Sequence, residues 1–126
     1  MRHLLLLPLL FVLFTLSPAC KAAPPASPQA ETAKIEALLA HVAGLKDAKF
    51  VRNGTEYDAA KAARFLRGKW EHYASDIKTA EDFIEKAASM STTTGKPYLI
   101  QFAGQPPQKC GDYLKAQLAR QGSAPK

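Results

Sequence analysis

Histidine and cysteine, the residues from which most nucleophilic and metal sites are assembled, are scarce: three of the first and two of the second in 126 residues. Two cysteines exclude a disulfide-dense scaffold. His41 and His72 have no second imidazole or thiol at a ligand spacing, and Glu71-His72 lacks the outer histidine of a zinc-binding helix, so neither a metal nor a cofactor is expected. The hydroxyl run Ser89, Ser91, Thr92, Thr93, Thr94 contains no Gly-x-Ser-x-Gly elbow. Thr94-Gly95-Lys96 fails as a phosphate loop, because Met90 stands where the first glycine belongs and Pro97 where Ser or Thr is required. Acidic residues are also in deficit, 11 against 17 Lys plus Arg, a formal charge of +6. That balance favours anionic partners in general.

Long apolar runs are missing except at the start, where Arg2 precedes a stretch from Leu4 to Leu16 followed by small residues from Ser17 to Ala19. This is the order of a secretory signal, over residues 1–19, and the run is shorter than the roughly 20 residues of a membrane span. Leu16-Ser17-Pro18-Ala19-Cys20 resembles a lipobox with Ser17 in the usual leucine position, making Cys20 the candidate lipid attachment site. Cleavage near Ala19 or Ala23 without acylation is the alternative. Residues 20–31 hold Pro24, Pro25 and Pro28 among alanines and read as a solvated linker or tether. If Cys20 becomes first, 126 minus 19 leaves 107 residues, and loss of Arg2 takes the charge from +6 to +5. One domain over 32–122 with a polar tail at 123–126 fits that length.

Within the domain, Ile35, Leu38, Leu39, Val42 and Leu45 form one helical stripe, predicting a helix over 32–46. Lys49 to Arg52 reads as a short strand stopped by the turn Asn53-Gly54. Thr55-x-x-Asp58 has the form of a capping box opening a second helix to about residue 75, with Ala59, Ala62, Ala63, Leu66, Trp70 and Tyr73 on its buried face. A third helix begins at Thr79, capped with Asp82 and burying Phe83, Ile84, Ala87 and Ala88. Tyr98 to Phe102 is the best strand by composition, able to pair with Phe50 to Arg52, and a last helix covers 108–121. Cys110 shares its face with Tyr113, Leu114 and Leu118 and reads as a buried small hydrophobe. The expected fold is α+β, mostly helical, with about four helices and a short two-stranded antiparallel pair. Trp70 and Phe83 are the expected large core residues.

Four motifs then stand in order: Phe50-Val51-Arg52-Asn53-Gly54; Leu66-Arg67-x-Lys69; Thr79-Ala80-Glu81-x-Phe83-Ile84-x-Lys86-x-Ala88-Ser89; and Gly95-Lys96-Pro97-Tyr98. In them the chain resembles the YfeK-like family of small bacterial exported proteins, a domain of unknown function, over about residues 35–118. The resemblance implies an envelope location and one compact domain; it brings no activity, substrate or cofactor. Phe65 departs from the histidine found before the Leu-Arg pair in relatives, and an aromatic packing position accounts for it.

Two binding constellations emerge. Lys61, Arg64 and Arg67 recur every three residues and should line one side of the second helix, as a solvated face or as a contact for an acidic partner or anionic headgroups. Arg52, Asn53, Lys69, Glu81 and Tyr98, drawn from separate motifs, converge if the two strands pair; alternatively Arg52 and Glu81 form a structural ion pair and Asn53 only serves the turn. The leading expectation is a non-enzymatic envelope protein in the periplasm, free or membrane-anchored, that binds an envelope protein or anionic envelope component. Nucleic acid is not an expected partner of an exported chain without an aromatic-interleaved basic motif. The alternatives are a hydrolase-type enzyme using Glu81, His72 or Ser89, which must then meet in one cleft, and an inhibitor of envelope hydrolases. The intact mass of the protein from a bacterial membrane fraction is expected to show triacylated Cys20; recovery solely as soluble periplasmic protein cut near Ala19 or Ala23 would remove the tether.

Overall fold

The computed structural model describes residues 27–123. The signal segment, Cys20, most of the linker and residues 124–126 lie outside the described residues. Ser27 caps helix α1 (Pro28–Ala43) through a hydrogen bond from Ala30 N, with Pro28 at the first helical position. The helix therefore starts four residues earlier than its apolar stripe suggested, and takes in the end of the predicted linker. Its buried side chains include Ile35, Leu38, Leu39 and Val42, as the spacing required.

Strand β1 (Ala48–Arg52) turns back through Asn53 and Gly54 into β2 (Thr55–Tyr57). Both turn residues are left-handed, φ 51° and 79°, which is what a two-residue hairpin needs to match strand twist. Thr55 is thus a strand residue rather than a cap. Asp58 caps α2 (Ala59–His72) instead, accepting from Lys61 N at 2.8 Å, so the helix begins after a second strand that sequence spacing did not disclose.

Helix α3 (Ala80–Phe83) starts with the expected reciprocal box: Asp82 N donates to Thr79 Oγ1 at 3.0 Å and Thr79 N to Asp82 Oδ2 at 3.2 Å. It widens into a π turn (Ile84–Ala88), where the Ser89 hydroxyl donates back to Ile84 O. A loop then leads to β3 (Leu99–Phe102), β4 (Gln108–Lys109) and α4 (Cys110–Ser123).

The sheet has four antiparallel strands in the order β2-β1-β3-β4, not the expected two. The predicted central pair is present, with Phe50 opposite Ile100 and Ala48 opposite Phe102. The flanking strands are three and two residues long, too short to show a period-two pattern. Ala48, Phe50 and Ile100 face the helices and join a core whose fully buried side chains include Phe83, Leu38, Ile84 and Leu114. Trp70 is only partly buried, meeting the Phe83 ring edge-on with centroids 6.2 Å apart, so it lies at the margin of the core rather than inside it.

One buried charge ties the first helix to the third. Glu31, 5% exposed, accepts from Ala80 N at 2.7 Å and from Lys34 Nζ at 2.8 Å. It satisfies an amide that the first turn of α3 leaves without an intrahelical partner. The hydrogen bond from Lys34, helped by that from Ala80, holds the Glu31 carboxyl below its ordinary range.

Phe83→Ala is expected to cost about 3–5 kcal/mol and Trp70→Ala roughly half as much, by denaturant titration, because only the first leaves an enclosed cavity. The folded-state pKa of Glu31 lies below its unfolded value, so its contribution is present above the unfolded pKa and lost as pH falls through the folded one. Glu31→Gln should therefore destabilise by about 1 kcal/mol at pH 7, a gap that closes as both proteins are titrated towards pH 3.

Candidate functional site

Alternation along β1 sets the site. Ala48 and Phe50 point to the core, so Arg52, two residues on, is directed to the same face. Continuing the register of β1 and β3 by one step places Arg52 opposite Tyr98, a buried residue just ahead of β3. Across from them α2 presents Phe65 and, one turn later, Lys69. The end of the sheet's inner face is therefore cationic and aromatic rather than aliphatic.

Contacts within this group are specific. The Arg52 guanidinium lies 4.4 Å from the Phe65 ring centroid, and Phe65 meets Tyr98 edge-on at 5.8 Å. Lys69, 9% exposed, donates to Tyr98 OH at 3.0 Å and to Met90 O at 3.2 Å, with its ammonium 5.0 Å from the Tyr98 ring centroid. A carbonyl, a hydroxyl and a π face thus stand in for water around a buried ammonium. They are all neutral groups. The ion pairs among the described residues, Lys34–Glu31 and Arg67–Glu36, lie elsewhere, leaving two cations beside one ring without a carboxylate.

Arg52 carries the sharper imbalance. Its Nε is buried and has no hydrogen-bond partner, and none of its guanidinium N–H groups bonds to another described residue. Beside it opens a cleft of about 340 Å³, bounded by Arg52, Phe65, Lys69, Tyr98, His72 and Thr92 among others, with no acidic side chain in its wall. An arginine fork, an ammonium with one N–H to spare and Thr92 share one concave surface, a set whose donors and charge are complementary to an anion.

The predicted constellation is only partly assembled. Arg52, Lys69 and Tyr98 converge. Asn53 flanks them: its Nδ2 donates to Ser91 Oγ at 3.2 Å and its Oδ1 accepts from Thr94 Oγ1 at 2.6 Å, fastening the loop before β3 to the hairpin turn. Glu81 is exposed and borders a separate hollow with Lys34 and Lys115, so the Arg52–Glu81 ion pair does not form. The reason is topological: α3 packs against α1, and Glu81 shares its hollow with Lys34 of α1 and Lys115 of α4, not with β1. The hydrolase constellation is likewise dispersed, with His72 at the cleft, Glu81 at that separate hollow and the Ser89 hydroxyl committed to Ile84 O.

On the basic face of α2, Arg67 makes a two-pronged pair with Glu36 of α1, at 2.8 and 2.6 Å, and is an interhelical strut. Lys61 and Arg64 remain exposed, outside the ion pairs of the described residues. Cys110 is buried as its spacing implied, and burial pushes its thiol up to about 12, which leaves it protonated and inert at neutral pH. Among the described residues no group of His, Cys, Asp and Glu is disposed to hold a metal ion, and no helix is long and apolar enough to cross a membrane.

Sequence reasoning missed the role of Phe65, which it read as packing alone, and the burial of Lys69. A signal for the second existed: Ala62, Leu66 and Lys69 stand at i, i+4 and i+7, which places the lysine on the buried stripe. The Met90 carbonyl and the Thr92 hydroxyl come from an irregular loop and carried no such signal.

Known proteins resemble the chain in sequence. It is 47% identical over 68 residues to the uncharacterized protein YfeK of Salmonella typhimurium, an overlap of 54% of this chain and 57% of that relative. The chain therefore spans a little over half the length of the curated relative it matches. No solved structure matches it. A family model described as "Family of unknown function (DUF5329)" matches residues 29–122, from the second residue of α1 to the last turn of α4. That match takes in every strand and helix that builds the cleft, and the chain belongs to this family of unknown function.

Proposed function

We propose that this chain is an exported envelope protein that binds an anionic envelope component in the Arg52–Lys69 cleft without acting on it chemically. The reading of its location rests on the N-terminal signal pattern and the lipobox-like Ser17 to Cys20. The reading of binding rests on one observation: a guanidinium with a buried, unpartnered Nε stands beside a buried ammonium, and no carboxylate compensates either. A buried donor left without a partner costs roughly 1–3 kcal/mol, a cost relieved by an anion that reaches Arg52 Nε. Lys69 and Tyr98 are held by their mutual hydrogen bond before a ligand arrives, so little ordering is required on binding.

Titration of the protein with inorganic phosphate and with acetate, followed by amide NMR shifts, tests this. Shifts are expected at Arg52, Phe65 and Lys69, with affinity falling at least about tenfold in Arg52→Gln, as expected for loss of a charged hydrogen-bonding partner. Substitution of Lys61 and Arg64 by Gln should leave that affinity unchanged. The reverse result, binding lost with Lys61 and Arg64 and kept without Arg52, would move the site to the exposed face of α2.

A further inference from the structure

Adjoining the cleft lies a second space of different character. It measures about 30 Å³ and shares Arg52, Phe65 and Tyr98 with the cleft; the rest of its wall includes Phe50, Ala62, Leu66 and Cys110. Its exposed wall is entirely apolar, and the Cys110 thiol within it stays protonated. A space of this size and lining holds no favourable place for water, yet accommodates about two or three methylene-sized groups.

Arg52, Phe65 and Tyr98 wall both spaces, and the Arg52–Phe65 stack is part of that shared wall. Arg52 is fastened there by its contact with the ring alone, since its guanidinium has no hydrogen bond to another described residue. An anion that draws the guanidinium towards the cleft leaves the aliphatic stem of Arg52 and the Phe65 edge as the boundary. Both are surfaces along which a hydrocarbon chain can lie.

Building on the anion-binding reading, we infer that the ligand is an anion bearing a short unbranched apolar tail, its head on Arg52 and Lys69 and its tail in the cavity beside Ala62, Leu66 and Cys110. The head chemistry is shared by alkyl carboxylates and alkyl phosphates. The tail sets the selectivity, because the charged groups alone take any small anion.

Two homologous series supply the test on the full chain: acetate, propionate, butyrate and hexanoate, and methyl, ethyl and butyl phosphate. Affinity is expected to rise about fourfold for each methylene buried and to level off between butyrate and hexanoate, where the cavity is full. Nuclear Overhauser contacts from the ligand methyl group to the Ala62 and Leu66 methyls place the tail without any mutation. Ala62→Ile, which narrows the cavity, should abolish the gain with chain length and preserve acetate binding. Tail-independent affinity with heads still bound would overturn this inference and leave the anion site standing. A gain with chain length but no contact to Ala62 or Leu66 would overturn it too, by placing the tail elsewhere. Failure of acetate and phosphate as well as every tailed ligand would bring down the anion-binding reading itself.

Discussion

The ammonium of Lys69 joins three parts of the chain at one point. From one position on α2 it reaches the Met90 carbonyl, in the loop that leaves the π turn, and the Tyr98 hydroxyl, at the entry to β3. Burying it is costly, and the cost is offset only while both acceptors and the aromatic faces keep their places. Tyr98 in turn sets the edge of Phe65, and Phe65 provides the platform for Arg52. The free end of the sheet is therefore organised by a cation rather than by an aliphatic plug.

The apolar core and the Arg52–Lys69 group are held by different kinds of contact. The part of the core made by Leu38, Phe83, Ile84, Ile100 and Leu114 is filled by side chains with no polar atom. Charges that serve the fold are neutralised locally, Glu31 at the start of α3 and Arg67 against Glu36, the latter half exposed and worth little in water. In the Arg52–Lys69 group, by contrast, a buried ammonium and a guanidinium with a buried Nε have no anionic partner among the described residues. The loop on that side is itself tightly closed, with Ser91 N donating to Lys96 O at 2.9 Å and Gly95 N to Ser91 O at 2.8 Å, and Asn53 pins it to the hairpin. A hydrogen-bonded rim therefore borders the uncompensated charge on which the anion-binding proposal rests.

Much of the fold was legible because its signals are local. The stripe of α1, the left-handed pair Asn53-Gly54, the Thr79–Asp82 box and the burial of Cys110 each depend on residues within a turn or two of one another. What escaped was short or non-local: the three residues of β2, the two of β4, and the replacement of Thr55 by Asp58 as helix cap. Thr55 and Asp58 both match a capping pattern, and the choice between them is made by pairing of Thr55 with Arg52 across the hairpin. The site was half legible, since proximity of Arg52 and Tyr98 follows once β1 and β3 are paired, whereas exclusion of Glu81 depends on where α3 packs.

The amino-acid sequence by itself determined the helical and strand periods, the two decisive turns and caps, the apolar core and the shortage of catalytic groups, because each is written in residue chemistry and short-range spacing. Only the tertiary structure decided that Phe65 is a platform for a cation, that Arg67 is a strut, and that Arg52 and Lys69 share one wall with no carboxylate to balance them. Strand register and helix packing bring together groups far apart along the chain, as where Lys69 bonds Tyr98 and the β1–β3 register, continued by one step, sets Arg52 opposite Tyr98, and no pattern along the chain carries the sign of the charge they will meet.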